Sequence, residues 1–188
     1  ITDVSLLHAL FVKKAIKRNK KLADEIRLMK QFCKANKIYG AESYIKGFSG
    51  YMCELLVIKY NGFVNLLRSA SKWKEKEFID IKNFYKGKNI LLEMNKSKTY
   101  SPLILIDPVQ ADRNAAAALE KEKYNIFRKA SKDFLKNPSL KLFDEKKLDI
   151  KKIKDSIIVE VVPLKGKEDV IGAKLLKAFN FMKEAIIK

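Results

Sequence analysis

Side chains suited to polar chemistry are few in this 188-residue chain: there is one histidine, His8, and two cysteines, Cys33 and Cys53. Each cysteine lies inside an apolar stretch, and two cysteines with one histidine cannot make a four-ligand zinc site. A reduced, cytoplasmic compartment is the simplest reading. His8 has no evident Ser or Cys partner to activate, so its plain reading is a satisfied structural histidine. The chain has no P-loop, no Gly-x-Ser-x-Gly elbow and no His-Glu-x-x-His. It also lacks an Asp-x-Asp pair of the kind that holds the two metals of a phosphoryl-transfer centre.

Positive charge, by contrast, is abundant. Forty Lys+Arg oppose 22 Asp+Glu, for a formal net charge of +18. The excess is spread evenly, with 12 basic against 5 acidic groups in residues 1–60, 14 against 8 in 61–130 and 14 against 9 in 131–188. A basic tail would concentrate it, so the potential belongs to the folded surface and a polyanion, nucleic acid first, is the natural partner. Because 35 of the 40 basic residues are Lys, solubility or compositional bias explains part of it equally well. The longest apolar runs, 55–58 and 157–162, fall far short of the roughly 18 to 20 residues that span a bilayer, so no membrane partner is expected. With 47% hydrophobic residues, 7 Gly and 4 Pro, the chain is too apolar to be disordered. It starts at Ile1 with no signal-like segment, which reads as a cut point in a longer protein.

The periodicity predicts a mainly helical α+β fold. Leu7, Phe11 and Ala15 mark one helix; Leu22, Ile26, Met29 and Cys33 mark a second over 21–37, and the polar stretch 17–20 joins them as a hairpin. Gly47-Phe48-Ser49-Gly50 reads as a tight turn whose serine caps a buried helix over 52–60. Asn61-Gly62 stops that helix, and helical spacing resumes from Phe63 to Trp73. Short strands are predicted around Ile79–Ile81 and over 103–106, with an exposed hairpin or loop over 84–100 between them. The alanine run after Asp112 opens a helix, and Ile126, Phe127, Ala130 and Phe134 carry another up to Asn137-Pro138. Residues 141–154 read as a lysine-rich connector, 157–162 as a strand and Leu175 to Ile186 as a terminal amphipathic helix. One strand and one helix cannot close a core, so a second domain beginning near 144 is expected to be incomplete.

Gly40-Ala41-Glu42, Lys46-Gly47-Phe48-Ser49-Gly50-Tyr51, Cys53-Glu54-Leu55-Leu56, Asp107-Pro108-Val109 and Asp112-Arg113-Asn114, followed by Ala115-Ala116-Ala117, resemble the archaeal, class I CCA-adding tRNA nucleotidyltransferases. The resemblance covers most of residues 5–143. It implies an enzyme that adds C, C and A to tRNA 3′ ends from CTP and ATP without a nucleic-acid template. Its Mg2+ would be held by carboxylates of a catalytic head preceding Ile1, so this chain would hold no catalytic or metal-binding residue and would be inactive alone. Residues 1–143 would be the helical neck, and 144–188 the beginning of an α+β RNA-binding body. The tRNA acceptor stem is the implied partner, and a homodimer of the whole enzyme is compatible with the resemblance.

Carried over residue by residue, the family's nucleotide contacts fall on His8, Lys30, Tyr39 and Arg113. Lys30 lies at the edge of an apolar stripe, where a bare ammonium is costly; a triphosphate would compensate it, and a snorkelling lysine is the alternative. Tyr39 would stack or hydrogen-bond at the pocket wall, or simply pack. Arg113 offers a planar fork for a base edge, or else a salt bridge to Asp112 or Asp107. At His8 the sequence departs from the family, with Val4-Ser5-Leu6-Leu7 in place of its Thr-Pro before the histidine. Three other readings stay open: a free-standing basic helical RNA-binding module without enzymatic activity, a fragment of another template-independent nucleotidyltransferase of the poly(A) polymerase or oligoadenylate synthetase type, and a partner-binding scaffold.

Overall fold

The computed structural model describes residues 4–145, 159–163 and 165–187. Seven α-helices, two short strands and two 3-10 turns make up the described residues, a mainly helical α+β fold as expected. Helix α1 (Ser5–Arg18) and α2 (Leu22–Ala35) form the predicted hairpin. Phe11 and Ala15 pack on the core while Leu7 stays exposed. In α2 the stripe Leu22, Ile26, Met29 and Cys33 is buried, and Asp24 and Glu25 sit in its first turn, where the helix dipole favours anions.

Helix α3 (Gly50–Tyr60) crosses the centre of the core, with Met52, Cys53, Leu55, Leu56 and Val57 buried. Asn61 ends it in the left-handed conformation. Helix α4 (Phe63–Ala70) buries Phe63, Leu66, Leu67 and Ala70 and then stops. Trp73, predicted to extend this helix, lies beyond its end and stacks on Tyr124 at 5.7 Å. Helix α6 (Lys121–Lys136) closes the layer through Tyr124 and Phe127.

Strands β1 (Glu77–Asp80) and β2 (Leu103–Ile106) pair in parallel, Glu77 opposite Leu103 and Asp80 opposite Ile106. Parallel strands cannot be joined by a hairpin. Residues 84–100 are accordingly part of a crossover, not a hairpin, with helix α5 (Ile90–Glu93), a 3-10 turn (Lys96–Thr99) and Met94 buried against Ile104 and Ile106. All four β2 residues are buried, which explains the uninterrupted apolar run Leu-Ile-Leu-Ile.

The alanine run does not open a helix. Asn114 diverts it: its Oδ1 accepts from the Leu105 and Ala116 amides at 3.0 and 2.9 Å, and its Nδ2 donates to the Lys98 and Leu103 carbonyls. The Ala115 amide donates to the Leu105 carbonyl at 2.8 Å. These bonds hold residues 114–116 against β2 and outweigh the helix preference of alanine, so the helix starts only at Lys121.

Of the connector predicted over 141–154, residues 141–143 instead belong to a 3-10 turn (Leu140–Phe143) that docks on α2, where Gln31 Nε2 donates to the Phe143 carbonyl at 2.9 Å, and 146–154 lie outside the described residues. Of the strand predicted over 157–162, Ile157 and Ile158 lie outside the described residues, and Val159–Val162 are in no strand. A strand needs a neighbour for its ladder bonds, and no described segment offers one there. The terminal helix is present as α7 (Glu168–Ile187), with Phe179 and Phe181 exposed. Among the described residues no helix is long and apolar enough to cross a membrane.

Candidate functional site

The site is assembled around the first turn of α3. Gly47 and Phe48 donate to the Gly40 and Ile38 carbonyls, both at 2.7 Å, and Gly40 donates back to Phe48 at 2.9 Å. A Cβ at Gly47 would lie 2.1 Å from the Ile38 carbonyl oxygen, so only glycine allows this approach. The pairing places Tyr39 beside the start of α3. Ser49 caps that start as expected, its Oγ accepting from the Met52 amide at 3.1 Å. Gly50, lacking a Cβ, then lets two predicted site residues converge on the start of the helix. A Cβ there would stand 3.1 Å from the Tyr39 hydroxyl and 3.8 Å from Lys30 Nζ.

Lys30 is neither bare nor snorkelling. Its Nζ donates to Glu54 Oε1 at 2.7 Å, from the next turn of α3, with about a quarter of each side chain exposed. Burial opposes the ammonium, but the hydrogen bond and charge of Glu54 outweigh it and leave the pKa above the ordinary lysine value. Burial likewise raises the Tyr39 phenol, against the pull of Lys30. Lys30 is thus a cation and Tyr39 a neutral donor at neutral pH, side by side at a helix N-terminus that itself favours anions.

On its other side the first turn carries Tyr51, and here the second pair meets. Asp107, fully buried at the end of β2, accepts from Arg113 Nη1 at 2.9 Å and lies 3.0 Å from His8 Nε2 through the same oxygen, Oδ2. Its Oδ1 accepts from the Tyr51 hydroxyl at 3.1 Å and the Val109 amide at 2.9 Å. The His8 ring stacks on Tyr51 at 4.3 Å. Burial and the Asp107 carboxylate push the Tyr51 phenol far up, so it stays a donor. Arg113 selects Asp107 of its two candidate partners; Asp112 instead meets Lys98 at 2.9 Å. With 42% of its side chain exposed, Arg113 is anchored through Nη1 and keeps the remainder of its fork available.

The structure therefore brings the four residues together as two pairs, Lys30 with Tyr39 and His8 with Arg113, on either side of residues 50–54. A separate cleft of about 850 Å³, lined by Lys46, Lys76, Tyr100 and Glu120 among others, contains none of the four. Lys46 and Glu120 pair with one another within it. Of the supporting residues Gly50, Tyr51, Glu54 and Asp107, the sequence offers Asp107 as a candidate salt-bridge partner of Arg113 and Gly50 as a turn residue, and gives Tyr51 and Glu54 no role. All stand in the motifs that carry the family resemblance, which is the signal that could have found Tyr51 and Glu54.

The family described as tRNA nucleotidyltransferase, second domain, matches residues 24–144, and the chain belongs to it. Among similar proteins are three that bear the name CCA-adding enzyme. That of Nanoarchaeum equitans is 46% identical over 138 residues, covering 73% of this chain and 34% of the relative. That of Methanocaldococcus jannaschii is 35% identical over 180 residues, covering 90% and 39%. The Saccharolobus shibatae protein is 38% identical over 167 residues, covering 87% and 37%. The chain thus spans a little over a third of the length of these relatives.

Proposed function

We propose that this chain is the nucleotide-selecting and tRNA-contacting part of a CCA-adding enzyme, which adds C, C and A to tRNA 3′ ends from CTP and ATP. The observation that carries this reading is the convergence of His8 and Arg113, 105 residues apart, on Asp107, beside the Lys30 and Tyr39 pair. Lys30, Tyr39 and the start of α3 suit a triphosphate, which is anionic in every nucleotide. The partly open Arg113 fork suits the acceptors of a cytosine or adenine edge. Residues 1–143 act as one unit in this reading, since Phe143 is packed against the core of α2 and α6, and a body domain follows. The spread of lysines serves the tRNA backbone.

Among the described residues no group of three or more His, Cys, Asp or Glu side chains is placed to hold a metal ion. None of them is assigned to the Mg2+ that the family resemblance implies. The test is incorporation of labelled nucleotide into tRNA lacking its CCA end. The full-length enzyme containing this chain is expected to add CMP, CMP and AMP, and this chain alone to add nothing. Incorporation by the chain alone, in a preparation free of other nucleotidyltransferases, would overturn the assignment of the chemistry to residues outside it.

Gly50 supplies a sharper check. In Gly50→Ala the new methyl falls 3.1 Å from the Tyr39 hydroxyl and must displace it, while helix α3 gains a better helix former. KM for CTP and for ATP is expected to rise together, by about three- to tenfold for a weakened hydrogen bond, with base preference and Tm unchanged. Unchanged KM values would show that Tyr39 and Lys30 do not meet the phosphates.

A further inference from the structure

We infer that Asp107 is a positioning residue for nucleotide choice: its buried carboxylate aims Arg113 and His8 at one nucleotide without itself touching it. The inference rests on the proposed function and deepens it. An ionised carboxylate can accept several hydrogen bonds, and Asp107 accepts three, with His8 Nε2 close by at 3.0 Å. Tyr51 and the Val109 amide hold Oδ1 from the protein frame, while Arg113 and His8 share Oδ2. A buried carboxylate is costly unless so paired.

The frame under Asp107 is rigid. The residue directly follows β2 and precedes Pro108, which disfavours a helical conformation at position 107. Its amide donates to the Arg113 carbonyl at 3.0 Å, and the Arg113 amide donates to the Gln110 carbonyl at 3.0 Å. Backbone and side chain thus tie residues 107 and 113 twice. His8 arrives from α1 and is set by the Tyr51 ring on its face and by Asp107 at its edge. Arg113 Nη1 also lies 3.0 Å from His8 Nε2, so the guanidinium, the imidazole and the carboxylate meet at one point, and the His8 tautomer sets whether Nε2 accepts from Arg113 or donates to Oδ2. Arg113 is left anchored at Nη1 with 42% of its side chain exposed, as a base-reading fork requires.

Asp107→Asn tests this in the full-length enzyme. The amide keeps the shape and one acceptor for Tyr51 and Val109, but turns a donor toward the donor Arg113 Nη1 and so releases Arg113, and with it the contact to His8. The preference for CTP and ATP over UTP and GTP is expected to relax by about tenfold or more, the scale of one charge-assisted hydrogen bond. Combining it with Arg113→Ala should relax preference no further, since both act through one interaction. Tyr51→Phe, which removes a single hold on Oδ1, is the milder variant should Asp107→Asn fold poorly, and a several-fold relaxation is expected.

A second readout needs no activity. His8 is the only histidine, so its imidazole ¹⁵N shifts are unambiguous. They should report one favoured tautomer in this chain and a changed tautomer balance in Asp107→Asn. If Arg113→Ala relaxes base choice while folded Asp107→Asn and Tyr51→Phe leave it intact, the positioning role is wrong and the proposed function stands. If Arg113→Ala itself leaves base choice intact, the proposed function of Arg113 fails and the positioning role with it.

Discussion

Arg113→Ala is expected to cost the full-length enzyme its preference for CTP and ATP over UTP and GTP, whereas Lys30→Ala lowers the use of every nucleotide alike. The two differ because of what each side chain can present. Lys30 brings a point charge, fixed by Glu54 at 2.7 Å, to phosphates that all nucleotides share. Arg113 brings a planar set of donors, anchored at one nitrogen by Asp107 and otherwise 42% exposed. Losing one charge-assisted hydrogen bond costs about 1.5 to 3 kcal/mol, or on the order of 10- to 150-fold in kcat/KM. Competition between paired nucleotides measures the discrimination directly. If Arg113→Ala lowered Tm but left discrimination intact at a permissive temperature, the arginine would be only a counter-ion for Asp107.

The parts of this arrangement legible in the sequence are those set by local pattern. The α2 stripe, the Ser49 cap and the Asn61 stop each follow from residues within a turn or two, and each is where the sequence puts it. The lost parts depend on distant partners. Four alanines favour a helix locally, but one buried Asn114 side chain bonded across to β2 overrides them. A run of four apolar residues identifies β2 without saying that β1 runs parallel, and the parallel pairing is what turns 84–100 into a crossover. The costly position of Lys30 is visible in the α2 pattern, yet its counter-ion lies 24 residues away on another helix. The meeting of His8 with Arg113 spans 105 residues and leaves no periodic trace; only the family resemblance suggested that they share a site.

Phe32→Ala is expected to be among the most destabilising single changes in the chain while leaving nucleotide choice intact. Phe32 is 1% exposed and meets four other rings edge-on: Phe63 at 5.4 Å, Phe127 at 6.3 Å, Phe134 at 6.0 Å and Phe143 at 5.7 Å. One side chain thereby joins α2 to α4, to α6 and to the 3-10 turn that ends at Phe143. Truncating a buried phenylalanine to alanine costs about 3 to 5 kcal/mol through lost transfer energy and the cavity left behind. Against a total stability of about 5 to 15 kcal/mol, that is a drop in Tm of roughly 6 to 20 °C for a chain of this size. Phe32→Leu keeps most of the volume and should lose clearly less. The same helix carries Lys30 two residues earlier, and side chains at i and i+2 do not share a face. Below its lowered Tm, Phe32→Ala should therefore still present Lys30 to Glu54 and the space above Gly50, with the ratio of CTP to UTP use unchanged. Relaxed base choice in the folded variant would mean that the aromatic core, and not Asp107 alone, sets the geometry of Arg113.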